Sequence, residues 1–214
     1  MFTWTKPAIA QRAKTVGKIL KKYIPDPQIP LDHKDNFTFM VAVILSAQCT
    51  DKRVNLTTPI LFKRASTPKQ FAAMSETELR DIIRPCGLSG SKARNLIANA
   101  KLLLKNHAGK VPGTREELEA LPGVGRKTAS VLLAQIFDTP ALAVDTHVLR
   151  SSNRWGLSKA KTPEAVERDI VALFPAKTLG KLSLQIILFS RQYCQAHTCK
   201  TPQTYCTICR ALRG

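Results

Sequence analysis

Acidic residues are scarce in this chain. Its 214 residues carry 15 Asp and Glu against 33 Lys and Arg, a formal net charge of +18, and no acid precedes Asp26. Such an imbalance points to a polyanionic partner, nucleic acid first and an anionic membrane surface second. Long apolar runs are missing too. The longest is the seven residues Phe39 to Leu45, far short of the roughly 18 that a membrane-spanning helix needs, so no membrane-embedded role is expected. The N-terminus lacks the apolar stretch and small-residue site of a signal peptide. Instead Ile9, Ala13, Val16, Leu20 and Tyr23 fall at helical spacing, which reads as a docked amphipathic helix. A reducing, cytoplasmic compartment is the expectation, with association to the nucleoid. There is no low-complexity stretch, no fixed-period repeat and no sustained period-two alternation. These absences leave no basis for a solenoid, a disordered tail or a β-rich fold.

What is present is a core-forming, helical composition. Hydrophobic residues make up 44% of the chain, enough for one large domain or two small ones. Ser75-Glu76-Thr77-Glu78 is a capping-box pattern opening a helix over Thr77 to Ile83, Thr114-Arg115-Glu116-Glu117 opens another, and Thr162-Pro163 starts a third reaching toward Phe174. Apolar positions recur at three and four in Phe39–Leu45, Leu96–Leu104, Val131–Phe137 and Leu182–Phe189. The fold class is all-α. Residues 29–137 read as a run of short capped helices forming one domain, and residues 1–28 with 138–214 as a second, discontinuous one.

The segment Leu118 to Ala129, containing Leu121-Pro122-Gly123-Val124-Gly125-Arg126-Lys127, is the most informative. A helix should end near Leu121 and another start near Arg126, joined by a turn in which Gly123 and Gly125 permit positive φ and close backbone approach. Amides of such a turn at a helix N-terminus suit a DNA phosphate, read without sequence information. Lys127 in the first helical turn is an unusual place for a cation. The macrodipole there should lower its pKa and favour the neutral, nucleophilic amine; a plain phosphate contact is the alternative. Asp145, in Val144-Asp145-Thr146-His147-Val148-Leu149-Arg150, is a good N-cap. It could also stabilise positive charge developing on a sugar or take a proton from the lysine, once the chain folds back past Pro140. Arg150 on the same helix could clamp a phosphate.

Four of the six cysteines, Cys194, Cys199, Cys206 and Cys209, crowd the C-terminal region with spacings x4, x6 and x2. That density fits a metal site rather than distributed disulfides.

Leu121 to Ala129, followed by Val144-Asp145-Thr146-His147 with the aspartate eighteen residues after the lysine, resembles the helix-hairpin-helix DNA glycosylase superfamily. The likeness extends to Leu45-Ser46-Ala47-Gln48-Cys49-Thr50-Asp51, to Cys86-Gly87-Leu88-Ser89-Gly90-Ser91-Lys92-Ala93 and to the C-terminal cysteines. Over nearly the whole chain it is similar to the endonuclease III family. The resemblance implies a two-lobed fold, a six-helix barrel lobe and an iron-sulfur lobe with a DNA cleft between. It implies a base-excision enzyme acting on double-stranded DNA with a damaged base or abasic site, and a monomer is the default expectation. Such an enzyme removes oxidised pyrimidines and cuts the strand by β-elimination through a lysine Schiff base. Carried over, Lys127 attacks C1′ and Asp145 assists, while Gln48 fills the gap left by the extruded base and Leu88 wedges the opposite strand. Gly123, Gly125, His147 and Arg150 join the DNA-binding set. Read from residue type alone, Gln48 is a helix-end amide and Leu88 a core leucine. Ser89 stands where the family often has an aromatic residue.

The family's usual ligand pattern is Cys-x6-Cys-x2-Cys-x5-Cys, and only Cys199 to Cys209 matches it directly. Either Cys194 supplies the fourth thiolate from the other side, or the intervals are rearranged. The expected cofactor is a 4Fe-4S cluster held by Cys194, Cys199, Cys206 and Cys209, with a four-cysteine zinc site as the alternative and His197 as a substitute ligand in either. Adenine-mismatch glycosylases, which usually lack the lysine and carry an extra C-terminal domain, are the competing enzyme. A non-catalytic helix-hairpin-helix binding module is the competing non-enzyme.

Overall fold

The computed structural model describes residues 2–137 and 139–213; Met1, Asp138 and Gly214 lie outside the described residues. Among the described residues there is no strand, in keeping with the all-α expectation. The helices are α1 (Lys6–Tyr23), α2 (Asn36–Leu45), α3 (Asp51–Arg64), α4 (Pro68–Ala73), α5 (Glu76–Ile83), α6 (Ser89–Asn106) and α7 (Arg115–Glu119), then α8 (Arg126–Ile136), α9 (Thr146–Arg154), α10 (Pro163–Val171), α11 (Leu179–Gln192) and α12 (Thr207–Arg213). Short 3-10 turns occur at Arg84–Cys86, Ala176–Thr178 and Pro202–Thr204. Two compact units are formed, Ile29–Phe137 and Met1–Gln28 with Asp138–Gly214.

Local hydrogen bonding sets where the helices begin. The hydroxyls of Ser75, Thr114 and Thr162 accept from the amides of Glu78, Glu117 and Ala165 and so cap α5, α7 and α10. Helix α5 begins at Glu76, one residue before the sequence pattern suggested, and α10 ends at Val171 rather than near Phe174. Reciprocal capping boxes close instead at Asp35 with Thr38 and at Thr67 with Gln70.

In the 29–137 unit the seven-residue apolar run becomes the body of α2, buried from Phe37 through Leu45. A helix apolar on every side must be surrounded, and α2 packs against α3, α6 and α8. This unit holds seven α segments, of which α4 and α7 are only six and five residues long. In the other unit α1 buries Ala13, Val16 and Leu20 and packs against α11 and α12. Trp155 and Phe189, both fully buried, meet edge to face with ring centroids 5.9 Å apart. Rings of that size contribute several kcal/mol by area alone, on the order of 25 cal/mol per Å² buried. The same apolar cluster runs on without a break into Cys194, Cys199, Cys206 and Cys209. Among the described residues no helix is long and apolar enough to cross a membrane.

Candidate nucleic-acid interface and metal centre

The turn between α7 and α8 is pinned from below. Leu121 and Val124 are buried, Val124 N donates to Leu121 O at 3.0 Å, and Asn99 Nδ2 donates to Pro122 O at 3.3 Å. The two glycines above are not equivalent. Gly123 has φ +82°, and a Cβ there would lie 3.1 Å from Asn95 Cβ, so the position demands glycine. Gly125 has φ −93° and ψ 178°, open to any residue, and a Cβ there would meet nothing within 4 Å. The expectation that both glycines serve positive φ is therefore corrected: only Gly123 does. Gly125 is the N-cap of α8, and no side chain caps that helix. The positive end of α8 is thus left open in front of the turn, with the backbone accessible to an anion. Lys127, the second residue of α8, is exposed.

Helix α9 starts differently. Asp145, half-buried, caps it: Oδ1 accepts from Val148 N at 2.8 Å. The cap occupies one carboxylate oxygen. His147 in the next turn is half-buried, and its Nδ1 is buried without a hydrogen-bond partner. Burial holds its pKa below the ordinary value, opposed by Asp145 and reinforced by Arg150 and Arg191. Arg150 donates from Nη2 to the carbonyl of Cys194 at 2.9 Å. Its guanidinium is therefore engaged with the cysteine loop, beside the phosphate-clamping role expected from sequence.

Gln48 and Leu88 are where residue type misleads. Leu88 is 54% exposed, not a core leucine. Both residues adopt left-handed backbone, φ +53° for Gln48 and +49° for Leu88. Only Ala108 shares this among described non-glycine residues. Gln48 lies in the turn after α2 and is exposed; Leu88 is the N-cap of α6 without a capping side chain. A bulky residue in this conformation costs on the order of 1–3 kcal/mol and persists where the surroundings over-determine it, often at functional sites.

The four C-terminal cysteines converge. Their sulfurs all lie within 4.8 Å of one another, and all four residues are buried. Cys194 follows the end of α11, and Cys199 Sγ is 3.5 Å from Cys209 Sγ. Hydrogen bonds from Cys206 and Cys209, with help from Arg154, drive the Cys194 thiol down to about 2. Sharing with Cys194 pushes Cys206 up to about 12, and Cys209 upward as well. Four sulfurs this close cannot all be thiolates without a cation among them, so the donor set fits a four-thiolate metal site. His197 is exposed and takes no part. Arg154, not singled out from sequence, donates to Gln195 O at 2.9 Å and lies 3.5 Å from Cys194 Sγ. Its signal was available: it follows Arg150 by four residues on α9, hence on the same face. Lys200 and Arg210 stand exposed beside the ligands.

Comparison with known proteins agrees with this geometry. Residues 41–176 match the family model described as HhH-GPD superfamily base excision DNA repair protein. Endonuclease III of Rickettsia conorii is 42% identical over 200 residues, covering 94% of this chain and 93% of that protein. Endonuclease III of Treponema pallidum is 43% identical over 185 residues, covering 86% and 85%. Among solved structures, a non-covalent endonuclease III–DNA complex superposes with a TM-score of 0.89 at 36% identity, covering 95% of each chain. A trapped endonuclease III–DNA covalent intermediate superposes with a TM-score of 0.86 at 35% identity, covering 96% of this chain and 99% of the other.

Proposed function

The chain belongs to the endonuclease III family within the HhH-GPD superfamily of base excision DNA repair proteins, and from that premise we propose how its own residues work. It is a DNA glycosylase with AP lyase activity, acting on double-stranded DNA that carries a damaged base or an abasic site. Oxidised pyrimidines are the substrate class. The observation that carries this reading is the start of α8: a glycine N-cap with no capping side chain, an open approach, and an exposed lysine in the first turn.

The damaged nucleotide must leave the base stack before its C1′ can be reached. Gln48 fills the gap and Leu88 separates the opposite strand, offsetting the loss of stacking. Gly123 and Gly125 receive a backbone phosphate at the hairpin, and His147 and Arg150 belong to the DNA-binding side of α9. The neutral amine of Lys127 attacks C1′ and the N-glycosidic bond breaks, the base leaving with the electron pair and taking up a proton. Opening of the C1′–O4′ bond gives the imine. Loss of a C2′ proton then expels the 3′ phosphate, and hydrolysis of the imine frees Lys127. Asp145 stabilises the positive charge that develops on the sugar and takes protons from the amine.

Cys194, Cys199, Cys206 and Cys209 hold a 4Fe-4S cluster, supported by family membership and by the matching Cys199-x6-Cys206-x2-Cys209 portion. When bound, the cluster staples the end of the chain to the core, and Lys200 and Arg210 beside it add electrostatic attraction for DNA. A zinc ion is the second reading, because sulfurs within 4.8 Å approach the spacing of about 3.8 Å set by tetrahedral Zn–S bonds of about 2.3 Å. Purified protein should be brown and contain four iron atoms per chain; colourless, folded, active protein with one zinc would overturn the cluster. The enzyme is expected to act as a monomer in the cytoplasm, on nucleoid DNA.

Borohydride reduction tests the mechanism. Wild-type protein with thymine-glycol or abasic duplex should form a covalent adduct, and Lys127→Gln should bind the DNA without forming one. Release of adenine from a mismatched duplex without any adduct would favour the adenine-mismatch type of monofunctional enzyme. Binding with neither base release nor adduct would leave a DNA-binding module.

A further inference from the structure

Gln48 and Leu88 stand 40 positions apart in sequence yet share the same unfavourable backbone conformation, and one side chain links the two turns that carry them. Lys92, in the second turn of α6, is 4% exposed. Its Nζ donates to Leu45 O, Ala47 O and Cys86 O, each at 2.8 Å. An ammonium has three donors, and all three are spent on backbone carbonyls. Leu45 is the last residue of α2, Ala47 immediately precedes Gln48, and Cys86 comes two residues before Leu88. The Ala47 and Cys86 oxygens are therefore held within twice 2.8 Å of one another. Leu88 is fixed from its other side as well: its carbonyl accepts from Lys92 N and from Ser91 Oγ, both at 3.0 Å.

Among the described residues no carboxylate contributes to the electrostatics of this ammonium. The titratable groups acting on it are the thiols of Cys49 and Cys86, while burial lowers its pKa. A buried cation without a counter-ion is costly to keep, and a simple helix-end carbonyl can be satisfied by water or a neutral donor. What only a charged three-donor group supplies here is a common anchor for two separate turns. We infer that Lys92 is a positioning residue that sets the spacing and direction of Gln48 and Leu88, so that both enter the duplex together. This rests on the reading of Gln48 and Leu88 as the inserting pair. Lys92 itself touches neither substrate nor Lys127 chemistry in this scheme.

The test is a mutant cycle on the full-length, metal-loaded enzyme. Single-turnover excision of thymine glycol from duplex, and the fluorescence of a 2-aminopurine placed beside the lesion, report extrusion. Borohydride trapping on a single-stranded abasic oligonucleotide reports the chemistry when no stack has to be opened. Lys92→Met should lower duplex excision by about 10- to 100-fold, the loss expected when reacting groups are misplaced by about an ångström, and should suppress the fluorescence rise. Single-strand trapping should not change. In the Gln48→Ala/Leu88→Ala background Lys92→Met should have no further effect, because its partners are gone. An equal loss in that background, or normal duplex excision by Lys92→Met where Gln48→Ala/Leu88→Ala is slow, would overturn the inference alone. A Gln48→Ala/Leu88→Ala protein that extrudes and excises like wild type would instead overturn the reading of the inserting pair, and the inference with it. If Lys92→Met does not fold, Lys92→Arg, which keeps the cation but not the compact three-way geometry, runs the same cycle with an intermediate loss expected.

Discussion

Helices α8 and α9 begin in opposite ways. The first starts from Gly125, with no side chain on its N-terminal amides and a lysine in its first turn. The second starts from Asp145, whose Oδ1 accepts from Val148 N at 2.8 Å. A capping carboxylate occupies the place at a helix start that an anion would take; an uncapped start keeps an unblocked approach to its positive end. The unfavourable arrangement is thus at α8, where an exposed amine sits against the macrodipole, and the favourable one at α9, where a carboxylate complements it. The contrast separates two demands on a residue, stabilising its own helix and acting on a ligand. Under the proposed mechanism both fall on Asp145 in α9, whereas in α8 neither Gly125 nor Lys127 caps the helix with a side chain.

The largest effect should come from separating the two demands on Asp145. Asparagine caps a helix about as well as aspartate, so Asp145→Asn should leave thermal stability nearly unchanged. If the carboxylate stabilises charge or moves protons, turnover on a damaged duplex should still fall by more than about 10-fold. Asp145→Ala should add a stability loss of about 0.5–2 kcal/mol from the missing cap. Melting curves and single-turnover rates on the two variants decide it. A full rate in Asp145→Asn would return the residue to a cap and nothing more.

Local chemistry was readable from the sequence, and long-range chemistry was not. Ser75, Thr114, Thr162 and Asp145 could be assigned as caps because a hydroxyl or carboxylate three residues before an amide is a contact within one turn. The hairpin turn was readable for the same reason. The left-handed conformations of Gln48 and Leu88 could not be read from residue type, since neither residue favours them. The Lys92 ammonium that meets the Leu45 and Ala47 carbonyls just before Gln48 lies 47 and 45 residues further along the chain. Arg150 and Arg154 present the same limit. Sequence identifies them as cations on one helix face, but their engagement with carbonyls of Cys194 and Gln195, 44 and 41 residues away, exists only once the fold has formed. The cysteine spacing could suggest a metal site, whereas convergence of four sulfurs to within 4.8 Å is a property of the packed chain.

A second, smaller effect distinguishes the two hairpin glycines. Gly123→Ala forces a Cβ onto a residue at φ +82° and against Asn95 Cβ at 3.1 Å, which should destabilise the protein by about 1–3 kcal/mol. Denaturant unfolding measures that directly. A loss below a few tenths of a kcal/mol would mean the turn relaxes to a conformation any residue adopts, and the shape of the hairpin would no longer depend on glycine.

The smallest stability change makes α8 resemble α9. Gly125 already has the extended backbone of an N-cap, and a Cβ there meets nothing within 4 Å, so Gly125→Asp introduces no strain. Its carboxylate can accept from the first-turn amides and complement the macrodipole, raising stability by about 0.5–1 kcal/mol. DNA affinity should move the other way, because the carboxylate occupies the anion position and repels the phosphate that would enter it. Loss of one phosphate contact should also flatten the salt dependence of binding by about one unit of slope. Stability and affinity changing in opposite directions would mean that the bare start of α8 is kept for the ligand rather than for the helix. If Gly125→Asp gains stability while duplex affinity and its salt slope stay at the wild-type values, the phosphate does not sit at this helix end, and the difference between α8 and α9 is only one of capping.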